Sequence, residues 1–153
     1  NEKKLVVYLS MGFGNPYGDP WSIKILMNWI ELLVQKGIKI ISLSDTIGSA
    51  RTKDIGQIFK TALIQYPGIE IGAHFHTKPE NAFKKIKAAY DSGCFRFDSA
   101  IKGFGGCPMA SDDLIGNLPT EKLITYFNQR KIEHKIDPIN FEYSYNQSLN
   151  IFI

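Results

Sequence analysis

Cysteine is scarce in this chain, with two residues, Cys94 and Cys107, among 153. Two thiols make no disulfide framework, which sets aside the small secreted scaffolds and leaves a reduced, cytoplasmic protein as the expectation. Excess charge is lacking as well. The formal net charge of +3 tolerates an anionic substrate but predicts neither a nucleic-acid nor a membrane surface. No apolar run approaches the roughly 20 residues that span a bilayer. Lys3 and Lys4 lead into a short strand-like run and not into the apolar stretch of a signal peptide. Low-complexity linkers are missing, so a single domain over residues 1–153 is expected. The glycine fingerprint of nucleotide-binding sheets is missing too. Gly12-Phe13-Gly14 follows the first strand pattern but runs into Pro16, with no third glycine opening a helix.

What the chain does contain is an alternation of strand and helix patterns. Leu5–Leu9 is a short apolar run of the kind found in buried strands. Asp19-Pro20 is expected to open a helix, with Ile23, Leu26, Met27, Ile30, Leu33 and Val34 at helical spacing and Gly37 at its end. A second unit pairs the strand Ile38–Leu43 with a helix carrying Ile55, Ile58, Phe59 and Ala62, closed by Pro67-Gly68. A third pairs Ile69–Ala73 with a helix carrying Phe83, Ile86 and Ala89, closed by Gly93. A fourth pairs Phe95–Ala100 with a helix from Thr120, and a last helix is expected near Phe141, Tyr145 and Leu149. Four strand–helix units imply α/β architecture, with parallel strands joined by right-handed crossovers. The local pattern fits a doubly wound sheet and a (β/α)8 barrel equally well. A barrel needs eight units in about 250 residues, so this chain would supply half of one.

Polar candidates gather just after the strands, where active sites of parallel α/β proteins sit. His74 and His76 are two apart on an extended segment, so both side chains face the same way. They can hold a divalent cation together, or one can be hydrogen-bonded while the other meets solvent. Asn117 can add a neutral oxygen, and such a mixed nitrogen and oxygen set suits Mg²⁺ or Mn²⁺, with Zn²⁺ also open. Cys107 sits between Gly106 and Pro108 in a glycine-rich segment; its thiol can act as acid, base or nucleophile, or it can be a free cysteine in a loop. Asp45, after the second strand, can serve a substrate or a metal-bound water, or cap a turn near Ser49 and Thr52. Cys94 is expected as a small core residue. Arg96 and Lys102 can face an anion, although solvated surface positions are the simpler expectation, and His134 is expected in solvent.

Three segments carry a resemblance. Ser42-Leu43-Ser44-Asp45-Thr46-Ile47-Gly48, Gly72-Ala73-His74-Phe75-His76, and Gly103-Phe104-Gly105-Gly106-Cys107-Pro108 continuing to Gly116-Asn117-Leu118-Pro119-Thr120-Glu121 resemble the C-terminal half of the hydroxymethylglutaryl-CoA lyase family. The likeness runs from about Leu5 to Gln129. It implies the C-terminal half of a TIM barrel, a divalent cation (Mg²⁺ or Mn²⁺) and cleavage of 3-hydroxy-3-methylglutaryl-CoA to acetyl-CoA and acetoacetate. It implies His74, His76 and Asn117 as metal ligands, and Cys107, His74 and Asp45 as catalytic residues, with an acyl-CoA as substrate. Thr77 and Met109 depart from the family pattern, which leaves the acyl group open. An aldolase, a Claisen synthase or a carboxyltransferase on the same barrel is the alternative enzyme. The family's Arg-Asp pair on its first strand, whose Asp completes the metal site, has no counterpart before Leu5. The partner expected is therefore the N-terminal half-barrel or a second copy of the chain, and the isolated chain is expected to be inactive and to self-associate as a homo-oligomer.

Overall fold

The computed structural model describes residues 3–106 and 115–151. Strands β1 (Val6–Leu9), β2 (Ile40–Asp45), β3 (Glu70–Phe75) and β4 (Phe97–Asp98) alternate with helices α1 (Ile23–Gln35), α2 (Thr52–Gln65), α3 (Ala82–Tyr90) and α4 (Thr120–Gln129), and α5 (Pro138–Ile151) follows. The strands form one parallel sheet in the order β1-β2-β3-β4. A doubly wound sheet reverses its strand order part-way, at the point where ligands bind. The sequential order here has no such reversal and is the order of a barrel wall. The helices pack against their sequence neighbours, α2 on α3 and α3 on α4.

Strand residues divide by parity because successive side chains point to opposite faces. Odd-numbered residues face the helices: Ile41, Leu43, Ile71, Ala73 and Phe75 meet Ile30, Ile55, Ile58, Phe59 and Ile86 in the buried core. Phe97 continues this face against Phe127. Even-numbered residues face away from the helices, and that side is largely polar: Tyr8, Ser42, Ser44, Glu70, His74, Arg96 and Asp98. Cys94 is fully buried among the core residues, as expected, and its thiol donates to the Arg96 carbonyl.

Two boundaries differ from the sequence reading. Helix α1 begins at Ile23, three residues beyond Pro20, because Ser22 takes an extended conformation and its hydroxyl accepts the Ile25 N–H; this is the capping geometry that satisfies an otherwise orphaned donor. Strand β4 holds two residues where six were expected. Its ladder to β3 pairs only Ala73 with Phe97 and His74 with Asp98, and Phe95 lies exposed before it.

Candidate metal and catalytic site

The C-terminal end of β3 is the centre of the site. His74 and His76 share its polar face, with ring centroids 5.1 Å apart and planes nearly perpendicular. Their placement follows from strand parity, since Phe75 between them is buried under the helices. The loop before α4 closes on this end. His76 and Asn117 form an antiparallel bridge, the Thr77 N–H donates to the Gly116 carbonyl (2.9 Å) and the Leu118 N–H to the Phe75 carbonyl (2.9 Å). Directly paired residues in such a bridge carry their side chains on the same side, so Asn117 stands beside His76.

The Asn117 amide nitrogen donates to the Phe104 carbonyl at 2.8 Å, which assigns Oδ1 as the end available to a ligand. This backing depends on glycine: Gly105 has φ +82°, and a Cβ there would lie 3.0 Å from Asn117 Nδ2. Nδ1 of His76 meets the backbone carbonyl of Asp45 at 3.1 Å, which makes Nδ1 the protonated nitrogen and leaves the Nε2 lone pair outward. Burial lowers the His76 pKa below its ordinary value, against the opposing pull of the Asp45 carbonyl, so the ring is held neutral. Nδ1 of His74 is buried with no hydrogen-bond partner among the described residues. Among those residues no three His, Cys, Asp or Glu side chains converge on one point; the polar group beside the two rings is the Asn117 carboxamide. Two imidazoles and one amide oxygen on one end of the sheet fit a divalent cation that takes further ligands from elsewhere.

Asp98, which the sequence reading did not single out, lies across the ladder from His74. Its Oδ2 is 3.7 Å from His74 Nδ1, beyond hydrogen-bond length, and accepts from the Ser42 hydroxyl at 2.7 Å. Its Oδ1 accepts from Arg96 Nη2 at 3.2 Å. Burial by itself would raise the Asp98 pKa, but the polar contacts of His74 and Ser42 and the Arg96 charge outweigh it and leave the carboxyl below its ordinary range. Arg96 is thus no solvated surface residue: it spans Asp98 and Glu70 on the polar face. Tyr8 packs its ring edgewise on His74, with centroids 5.2 Å apart. The signal for Asp98 was present in the sequence as parity, since it occupies in its strand the position His74 occupies in the neighbouring one.

Asp45 shares the parity of Ile41 and Leu43, and its carboxylate turns to the helix side of the sheet. There it pairs with Lys85 of α3 (2.5 Å) and accepts the Ala50 N–H (3.1 Å). The structure therefore brings the Asp45 backbone carbonyl, and not its carboxylate, to the histidines. Cys107 lies outside the described residues; its neighbour Gly106 is bridged to Gly116, next to Asn117.

The family model described as HMGL-like matches residues 9–143. The chain belongs to the HMGL-like family. A hydroxymethylglutaryl-CoA lyase of Bacillus subtilis is 33% identical over 84% of this chain and 43% of its own length. An (R)-citramalyl-CoA lyase of Chloroflexus aurantiacus is 30% identical over 86% of this chain and 41% of its length. The solved structure of an HMG-CoA lyase from Acinetobacter baumannii, in complex with coenzyme A and 3-methylmalate, superposes with a TM-score of 0.77 at 30% identity, covering 86% of this chain and 43% of that one. The chain thus spans less than half the length of each of these three relatives, and its fold is half of their TIM barrel. No helix among the described residues is long and apolar enough to cross a membrane.

Proposed function

We propose that the chain supplies half of the active site of a divalent-metal-dependent carbon–carbon lyase that cleaves 3-hydroxy-3-methylglutaryl-CoA to acetyl-CoA and acetoacetate. The observation that carries this reading is the side-by-side placement of His74 and His76 at the end of β3, with Asn117 bridged to His76. The names of the relatives support the substrate class, as each acts on a CoA thioester of a hydroxy acid. The remaining strands of the barrel come from the rest of a longer polypeptide or from a second chain.

In this reaction the tertiary hydroxyl loses its proton and its oxygen becomes a ketone. The adjacent carbon–carbon bond breaks, and its electron pair passes into a thioester enolate, which takes a proton to become acetyl-CoA. A bound Mg²⁺ or Mn²⁺, held by His74, His76 and Asn117, would polarise the oxygens of the substrate. His74, with its lone pair given to the cation, would hold the metal against the hydroxyl oxygen, and the Asp98 carboxylate beside it is the group placed to accept the hydroxyl proton. Cys107 is the proposed donor of the proton to the enolate carbon, a general-acid step open to a thiol. Asp45 contributes through its backbone carbonyl, which orients His76. Coenzyme A serves as a handle.

The similarity to a citramalyl-CoA lyase favours a second substrate on the same site. One experiment tests both. The full-length protein bearing this chain is assayed for acetyl-CoA release from 3-hydroxy-3-methylglutaryl-CoA and from citramalyl-CoA, with Mg²⁺, with Mn²⁺ and with chelator. Release that needs the cation and disappears in His76→Ala is expected. No release from either thioester in the presence of both cations would refute the proposal.

A further inference from the structure

Helix α3 places a lysine where its apolar stripe should continue. Lys85 falls between Ala82 and Ala89, both fully buried, and its own side chain is only 6% exposed. An unpaired ammonium at such a place would be strongly destabilising. Here each of its three donors has an acceptor: Asp45 Oδ2 at 2.5 Å, the Gly48 carbonyl at 2.7 Å and the His76 carbonyl at 3.2 Å. Those acceptors belong to the end of β2, the turn after it and the residue after β3. A single ammonium therefore ties together the three segments that surround His76.

The consequence for His76 follows bond by bond. Its ring is aimed by the Asp45 carbonyl, which meets Nδ1 at 3.1 Å. That carbonyl also takes the N–H groups of Gly48 (3.1 Å) and His76 (3.4 Å). Asp45 itself is held through its carboxylate, between Lys85 Nζ and the Ala50 N–H. The turn has no slack to compensate, because Gly48 has φ +71° and a Cβ there would meet the His76 carbonyl at 3.0 Å. Lys85 and Asp45 cancel each other's charge, so the ammonium beneath the site does not repel a cation above it. With its three donors occupied, the ammonium is no acid or base for a substrate.

We infer that Lys85 is a positioning residue of the metal site, fixing the His76 imidazole through Asp45 and through the His76 carbonyl. This inference rests on the metal-site reading above. The test uses two double variants of the full-length protein, both uncharged at this pair: Asp45→Asn/Lys85→Gln, which keeps donors at position 85, and Asp45→Asn/Lys85→Met, which fills similar volume without them. Mn²⁺ affinity is read from the EPR signal of the free ion, and folding from calorimetry. The Gln variant is expected to bind Mn²⁺ much as the wild type does, and the Met variant about tenfold or more weakly, the usual scale for lost outer-sphere support. Equal affinities in the two folded variants, whether both retained or both reduced, overturn the inference. If only the Gln variant folds, its titration decides: retained affinity upholds the role of the donors, and a tenfold loss overturns it. A wild-type protein that binds no Mn²⁺ refutes the metal reading itself, which separates that failure from this one.

Discussion

Replacing Gly103 by alanine tests the clamp that brings Asn117 to the histidines. Gly103 is buried and has φ +68°, a left-handed conformation that costs an L-residue about 1–2 kcal/mol. A Cβ there would lie 2.6 Å from the Asn117 carbonyl oxygen, so backbone must move. The same two residues are joined by the Asn117 N–H to the Gly103 carbonyl at 3.0 Å, and losing that bond removes about 0.5–1.5 kcal/mol more. The sum is roughly 1.5–3.5 kcal/mol, which at roughly 2–4 °C per kcal/mol lowers Tm by roughly 3–14 °C. Gly37→Ala is the internal control. Gly37 has φ +84° but open space around the missing Cβ, so it bears only the conformational cost of about 1–2 kcal/mol. Thermal unfolding of the full-length protein followed by calorimetry, with Mn²⁺ titration of each variant, gives the comparison. Gly103→Ala should unfold at the lower temperature and bind Mn²⁺ more weakly, while Gly37→Ala keeps its metal affinity. Equal Tm shifts with unchanged metal affinity in both would refute the reasoning.

Two further predictions concern the apolar side of the sheet. Burial pushes the Cys94 thiol up to about 12 from an ordinary value of 9.0. The unfolded chain therefore releases this proton first as pH rises. The stability held by the neutral thiol is complete below pH 9 and is lost progressively as pH climbs from there toward 12. Urea unfolding at several pH values should show this alkaline loss in the wild type, reduced in Cys94→Ala; the same slope in both would exclude Cys94 as its source. Phe59 is fully buried between α2 and the sheet and touches Phe13. Phe59→Ala should cost about 3–5 kcal/mol in equilibrium unfolding, and a cost below about 1 kcal/mol would show that the site collapses around the cavity.

Much of this arrangement was legible in the sequence because two periodicities dominate it. Apolar residues at helical spacing located each helix body, and the apolar runs located the strands. His74 and His76 announced a shared face by their spacing of two. The features that escaped depend on contacts between distant segments. Asp98 acquires meaning only once β4 is in register with β3, which sets it opposite His74. Lys85 reads as one more charge on a lysine-rich helix until its stripe position is matched with Asp45, forty residues earlier. Asp45 was attractive because it follows a strand, yet the parity of Ile41 and Leu43 already assigned its carboxylate to the helix side. The start of α1 was misplaced because Pro20 and Ser22 both signal a helix N-terminus, and the hydroxyl cap prevailed.

The parity of the strands also separates two traits that are often entangled in enzymes. Odd-numbered strand residues hold the helices on, and even-numbered ones line the opposite side, so selection can act on one set with little effect on the other. Tyr8, Ser42 and Ser44 lie on the even side, near His74 but outside its proposed ligand set. Under the proposed lyase reading, exchanges at Tyr8 and Ser44 would reshape the side of the sheet that meets the substrate and leave the helix-facing core intact, whereas Ser42 is held by its bond to Asp98. A scaffold of this kind can acquire a new acyl preference by drift along one face of its sheet, without first becoming more stable.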